Sequence, residues 1–441
     1  MTRIQIPCLL LTLLAPAVAT AQSPPVRLTL ADAITRGFET SHRIAEARAR
    51  EQGALAAVHS AELATMPTVT ANAGYTRTNH VDEFAFPQPG GTRVVVYPDI
   101  PDNWMSRLSF QWPIYTSGRT DALQRAAIAE AQAASADIET SRADLRFEIV
   151  RAYWGVATAL EAVRVLEESS ARSDAQLRDA RQRFAVGLTP PNEVAGFEAQ
   201  RSNERAQLIQ AQNLRDSALI DLRRLTGLPQ DTIVDLADSL DTAVSPPADT
   251  AIDRLVSEAL DARTERKALT LRLGGAEARQ DAASKGNKPT VAVTGGVDYA
   301  NPNPKHFPRR DAFQRSWDLG IAVNWNVIDW GRARSQTAEA AAAVSATRER
   351  LAEFDTIVSA DVRQRALDLN SSQAILAAAG DAVASAAESR RVLGDRFAAG
   401  VATSTDVLVA QVQLLEAQLT RTRALANVRL AQARLERSLG R

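Results

Sequence analysis

The chain is written twice, and this constrains its fold more than any other feature. Gln111-Trp112-Pro113-Ile114-Tyr115-Thr116-Ser117-Gly118-Arg119 returns as Asn324-Trp325-Asn326-Val327-Ile328-Asp329-Trp330-Gly331-Arg332. Arg183-Phe184-Ala185-Val186-Gly187 returns as Arg396-Phe397-Ala398-Ala399-Gly400, and Leu225-Thr226-Gly227 as Ser438-Leu439-Gly440. The glycines move from 118 to 331, from 187 to 400 and from 227 to 440, an offset of 213 in all three cases. Upstream, Pro67-Thr68-Val69 and Pro289-Thr290-Val291 are 222 apart, so the first copy holds nine extra residues before Gly118, read as a longer loop. Whatever one copy folds into, the other must also fold into.

Each copy changes period along its length. A helical stretch begins near Leu30 in the first and near Ile252 in the second, and ends before Pro67 or Pro289, where proline drives the chain out of the α region. Two extended segments follow. Trp317, Leu319, Ile321, Val323, Trp325 and Val327 alternate with Asp318, Gly320, Ala322, Asn324 and Asn326, a period of two. Val291, Val293, Val297 and Tyr299 share one parity, against Thr290, Thr294 and Asp298 on the other. Val69, Ala71, Ala73 and Tyr75, then Leu108, Phe110 and Trp112, repeat the pattern. The segments 79–103 and 301–315, rich in Pro, Asn, Asp and Gly, read as exposed loops, the second carrying Arg309-Arg310. Beyond the strands, no proline occurs between Ile114 and Thr189, nor after Pro308. Gly118 to Gly187 and Gly331 to Gly400 can each form a helix of about 100 Å at 1.5 Å per residue. A glycine stops each helix, and a return helix of about 50 Å follows, with Asn192 or Ser404/Thr405 as its expected cap. Leu408, Val412, Leu415 and Leu419 recur at coiled-coil spacing, and Val428, Leu435 and Leu439 continue the stripe.

Composition excludes several functions. With 51 basic against 52 acidic residues there is no basic footprint for nucleic acid. One Cys and four scattered His (His42, His59, His80, His306) offer no metal-ligand spacing, and no nucleophile–base pair or phosphate loop stands out. We therefore expect no catalytic residues, no metal and no cofactor. Arg3, the apolar Ile6–Val18 stretch and Ala19-Thr20-Ala21 read as a secretory signal peptide over 1–21, with Cys8 inside it. No later stretch reaches the ~18 apolar residues of a membrane helix, so any membrane span must be β-structured. The expected organisation is 22–227 as the first repeat, 228–250 as an Asp- and Pro-bearing connector, and 251–441 as the second repeat.

Strands of about ten residues with one apolar face suit a membrane barrel, lipid outside and water inside. Trp104, Trp112, Trp317, Trp325 and Trp330 lie in or beside them, as an interfacial aromatic belt requires. A soluble hairpin packing one face on a core shows the same alternation, so a periplasmic coiled-coil scaffold or adaptor outside the membrane stays open as the alternative. Four strands cannot close a barrel alone, and open edges are forbidden in lipid, so a membrane assembly must be shared between chains.

The strand-to-helix segments ending in Gly118-Arg119 and Gly331-Arg332, the R-F-x-x-G turns at Gly187 and Gly400, the Leu225-Thr226-Gly227-Leu228-Pro229 segment and the duplication resemble the TolC-like outer-membrane efflux family over the whole exported chain. The resemblance implies a mainly helical mixed fold. Long antiparallel hairpins would form a periplasmic α-barrel, and four strands per chain would contribute to a twelve-stranded barrel shared by a homotrimer. It implies a passive exit duct in the outer membrane of a Gram-negative bacterium, serving a tripartite efflux or secretion system. Its partners would be a periplasmic adaptor, an inner-membrane transporter and outer-membrane lipid, with no nucleic acid. By the same resemblance, Val186-Gly187-Leu188 and Ala399-Gly400-Val401 are the adaptor-contacting tips, and Asp406 falls on an acidic position of the pore constriction. Val409 and Ala402 stand where the family carries a second acid and a basic tip residue, so the expected gate is less charged.

Overall fold

The computed structural model describes residues 26–91, 93–241 and 251–441. The proposed leader, with Cys8, lies outside them, as do Pro246, Pro247 and Asp249 of the connector.

The first copy runs β1 (Val26–Leu28), α1 (Leu30–Thr40), α2 (His42–Leu63), β2 (Thr68–Arg77), β3 (Phe84–Pro87), β4 (Arg93–Tyr97), β5 (Asp102–Tyr115), α3 (Arg119–Ala185) and α4 (Pro191–Thr226). After β6 (Val234–Leu236), the second runs α5 (Ile252–Ala262), α6 (Thr264–Ser284), β7 (Thr290–Asn301), β8 (Gln314–Asn324), α7 (Arg332–Ala398) and α8 (Ser404–Ser438). The repeat register survives folding. α3 and α7 are both 67 residues long and begin 213 apart, while α1 and α5 begin 222 apart.

Two features differ from the sequence reading, and a third adds detail to it. The opening helix of each copy is broken, at Ser41 and at Arg263; Ser41 caps α2 through its hydroxyl, whereas Arg263 offers no side-chain cap to α6. The segment 79–103 is not all loop. Phe84-Ala-Phe and Val94-Val-Val-Tyr flank a Pro-Gly-Gly turn and pair as the β3–β4 hairpin. The connector is ordered where β6 pairs in parallel with β1, Val26 opposite Val234. Beyond it Asp238 accepts hydrogen bonds from the Leu30 amide (2.8 Å) and the Tyr153 hydroxyl (2.9 Å). Burial pushes the Tyr153 phenol well above its usual range.

Two compact units draw on interleaved segments. One comprises the described residues through Thr40, the described part of Ile149–Ala243, and Ala379–Ala426. In it, Val163, Val165, Leu166, Ala211 and Leu415 form one apolar cluster, and Leu177, Ala180 and Phe197 another, supported by Leu408. The other comprises Ser41–Glu148, the described part of Val244–Ala378, and Asn427–Arg441. Its core joins Val256, Ala259, Val358, Val362 and Leu369 to Val428, Leu435 and Leu439, the far part of the stripe read from the sequence. No described helix is long and apolar enough to cross a membrane.

The second unit holds an antiparallel sheet in the order β2-β5-β7-β8. The pairing Arg107↔Asp298 and Asp298↔Ser316 sets the faces. Asn72, Arg107, Asp298, Ser316 and Asp318 lie on one side; Val69, Leu108, Val297, Trp317, Leu319, Ile321 and Val323 lie on the other.

Candidate channel surfaces

Burial on this sheet is the reverse of that in a soluble hairpin. The apolar face is bare, with Trp317, Leu319, Ile321 and Val323 each more than 60% exposed. On the polar face the cover lies along β7, where Asp298 is 4% exposed and Ala300 1%, whereas β2 is exposed on both faces. Water cannot be the intended neighbour of so broad an apolar surface. Both outer strands, β2 and β8, end the sheet order.

The aromatic residues named from the sequence fall at the two ends of the strands. Trp104 sits near the loop end of β5, its ring 4.5 Å from Tyr75, and Trp317 near the loop end of β8. Trp112 and Trp325 sit at the helix end, eight residues further along, or about 26 Å of strand at 3.3 Å per residue. Trp112 donates its indole N–H to the Thr65 carbonyl (3.1 Å) and Trp325 donates to that of Asn287 (3.0 Å), the same junction in both copies. Trp325 lies one residue past β8, so the strand is shorter than the alternation to Val327 suggested. Trp330 lies in the following turn, at φ +52 and almost wholly exposed.

The two hairpin tips lie in the other unit. Each is a Schellman turn, with Leu188 N–H on Arg183 O and Gly187 N–H on Phe184 O, and likewise Val401 on Arg396 and Gly400 on Phe397. Gly187 and Gly400 take φ +75 and +76, which a side chain would strain. Val186, Leu188 and Val401 are each at least 70% exposed. Buried contacts cannot explain such apolar tips.

The starts of the return helices correct the expected caps. Pro190 precedes α4 with Pro191 as its first residue and no side-chain cap, so Asn192 is not the cap. At α8 the cap is Thr403 rather than Ser404 or Thr405. Its hydroxyl accepts from the Asp406 amide (3.2 Å), while the Asp406 carboxylate accepts from the Thr403 amide (2.9 Å) and hydroxyl (2.7 Å). The Thr403 hydroxyl, then its amide, hold the Asp406 carboxyl below the usual aspartate range. Asp406 is therefore tied to its helix start and carries charge there. Sequence reasoning missed its counterpart 213 residues earlier, Glu193, in the first turn of α4. Glu193 lines a groove of ≈ 310 Å³ with Asp179, Arg183 and Phe397. There the Arg183 guanidinium lies over the Phe397 ring, 5.3 Å from its centroid, joining the tips within one chain.

The family model described as outer membrane efflux protein matches residues 36–228 and 255–441, one segment per copy. The chain belongs to the outer membrane efflux protein family. The outer membrane protein TolC of Vibrio cholerae is 26% identical over 432 residues, covering 96% of this chain and 93% of that one. Among solved structures, the outer membrane protein VceC from Vibrio cholerae shares the fold at a TM-score of 0.76 and 21% identity, covering 93% of this chain and 96% of that one. The Campylobacter jejuni CmeC outer membrane channel does so at 0.76 and 16%, covering 93% and 85%. The chain is thus an outer-membrane efflux channel, from a family of transport channels, and the scaffold reading gives way to it.

Proposed function

We propose that three copies close one barrel by pairing β8 of each with β2 of the next, forming an exit duct. It would take its cargo from a periplasmic adaptor and an inner-membrane transporter. The observation carrying this reading is the inverted sheet, with its bare apolar face, a polar face that buries Asp298, and two strand edges that lipid does not tolerate open. Trp104 and Trp317 at one rim, and Trp112, Trp325 and Trp330 at the other, then serve as the aromatic belts. Helices of about 100 Å are long enough to reach through the periplasm. The tips Val186-Gly187-Leu188 and Ala399-Gly400-Val401 present their apolar side chains to the adaptor. Asp406, repeated threefold, contributes a ring of carboxylates at the constriction that favours cations. Energy comes from the partners, since an aqueous duct does no bond chemistry.

Light scattering on the detergent-extracted particle, corrected for the micelle, tests the assembly. Three protomers are expected, and a monomer released without detergent would overturn the reading. Asp406→Asn is expected to lower cation preference or raise conductance in planar bilayers. Unchanged selectivity and conductance remove Asp406 from the constriction.

A further inference from the structure

Around Asp298 the polar face of the sheet is covered by the protein's own loop. Residues 302–313, joining β7 to β8, do not rise away from the strands but fold back over them. Asn303 is fully buried; its amide donates to the Gln314 carbonyl (2.9 Å) and the Ser316 hydroxyl (3.0 Å), and its Oδ1 accepts from the Lys305 amide (2.9 Å). That turn aims Lys305 down onto the strands. Its ammonium bonds Asp298 at 2.8 Å and also Asp318. The same carboxylates receive Arg107 from β5, at 2.8 Å to Asp298 and 3.0 Å to Asp318. Arg107 crosses β7 to reach Asp318 because position 296 is glycine: a Cβ there would stand 2.8 Å from its Nη2. Two cations and two carboxylates thus balance on the inner face, one cation coming from the loop.

The loop is fastened a second time. The Arg309 guanidinium lies over the Tyr97 ring, 4.9 Å from its centroid, and donates to the Tyr97 hydroxyl at 3.0 Å. Tyr97 belongs to β4, in the segment joining β2 to β5. The two connections at the end of the sheet away from its helices are therefore tied to each other. The outer strap is joined to the strands by Lys305 and to the neighbouring loop by Arg309. The Lys305 tie is ionic and leaves its ammonium partly in water, where ion pairs are screened by salt; the Arg309 tie is to a neutral phenol and its ring, which salt affects far less.

We propose that residues 302–313 form a strap over the outer mouth of the duct, latched by Lys305 on Asp298 and Asp318 and steadied by Arg309 on Tyr97, and released when the Lys305 ion pairs are broken. The proposal rests on the barrel reading above, since only there does the polar face line a lumen. The strap narrows access from outside at low ionic strength, and salt loosens it. It also explains why Asp298, on a face that should be wet, is buried: the strap excludes water from it.

The test uses a cysteine below the strap. The one native cysteine is Cys8, so Thr294→Cys, on the inner face of β7, reports access when whole cells are treated with a bulky, membrane-impermeant polyethylene-glycol maleimide; the unsubstituted chain gives the background. With Lys305 present, labelling should be slow and should quicken with added salt. With Lys305→Met it should be roughly tenfold faster, the scale expected when a network of charge-assisted contacts is lost, and independent of salt. Lys305→Arg should restore the slow rate. Equal, salt-independent rates in all backgrounds would overturn the strap while leaving the duct intact. If even a small impermeant maleimide never labels Thr294→Cys in any background, while the protein is present in the outer membrane, the inner face does not open outward and the barrel reading fails with the strap.

Discussion

The two copies share a backbone and differ in chemistry. Positions 213 or 222 apart adopt the same element almost to the residue, from α1 and α5 to the Schellman turns at both tips. The polar constellations, in contrast, occur once. Arg107, Asp298 and Asp318 correspond to Gly320, Thr76 and Met105, so the charge balance beneath the strap has no twin in the other copy. In the helices, buried Glu204 accepts from Ser173 (2.7 Å) and Gln200 (2.9 Å), and also from Gln411 (3.2 Å), which itself donates to Ser173 at 2.6 Å. The positions matching Glu204 and Ser173 are Ala417 and Ala386. A duplicated fold tolerates this divergence because helices and strands are specified by apolar periodicity and turn glycines. Polar residues within that frame are free to specialise.

The contrast can be tested from its largest expected effect downward. Glu204→Ala leaves the Gln411 amide and Ser173 hydroxyl short of their buried acceptor and should cost about 2–3 kcal/mol. Ala386→Ser in the other copy should stay within about 0.5 kcal/mol. Thermal unfolding of the detergent-extracted protein, followed by circular dichroism, compares them; equal losses would mean that the Glu204 cluster is not a specialised feature of the first copy. At the tips the copies should instead behave alike. Nothing lies within 4 Å of a Cβ built at Gly187 or Gly400, so valine at either meets only the positive-φ penalty of roughly 1–2 kcal/mol. Both variants should reach the membrane as trimers yet export poorly. Loss of the trimer from the membrane would assign these turns to folding instead of docking.

The helix starts differ again. Thr403→Ala removes the cap of α8 and should cost about 1 kcal/mol; Pro190→Ala removes no side-chain cap and should cost less. The smallest effect is acid fraying at α8 alone. Because the carboxyl of Asp406 is held below its ordinary value, its contribution is present above the unfolded pKa of about 4 and is lost as pH falls through the lower folded value. Hydrogen exchange of the amides from Thr403 to Val407 should therefore lose protection in acid, after correction for the intrinsic exchange rate, and Asp406→Asn should abolish that dependence. Protection that stays constant with pH would detach the carboxyl from the cap.

Much of the tip chemistry could be read in the chain. T-x-x-D at Thr403 to Asp406 is a local capping signal, obscured because three hydroxyl residues stand in a row and only the helix start decides which one caps. The β3–β4 hairpin was legible in Phe84-Ala-Phe and Val94-Val-Val-Tyr around Gly90-Gly91, but the Pro and Gly content of the segment masked it. Glu193 could be found by carrying Asp406 back through the repeat offset.

By itself, the sequence determined what depends on spacing along the chain: the duplication, two long helices of about 100 Å, four amphipathic strands and paired glycine turns. These follow from periodicity, which short-range sterics and burial translate directly into secondary structure. Only the tertiary structure decided which side chains meet. The partners Arg107 and Asp298 are 191 residues apart, and Ser173 and Gln411 are 238 apart. β1 found β6, and Lys305 folded down from a loop whose composition announced only exposure. Such contacts are fixed by strand register and helix packing, and a linear pattern of residue types holds no distance between them.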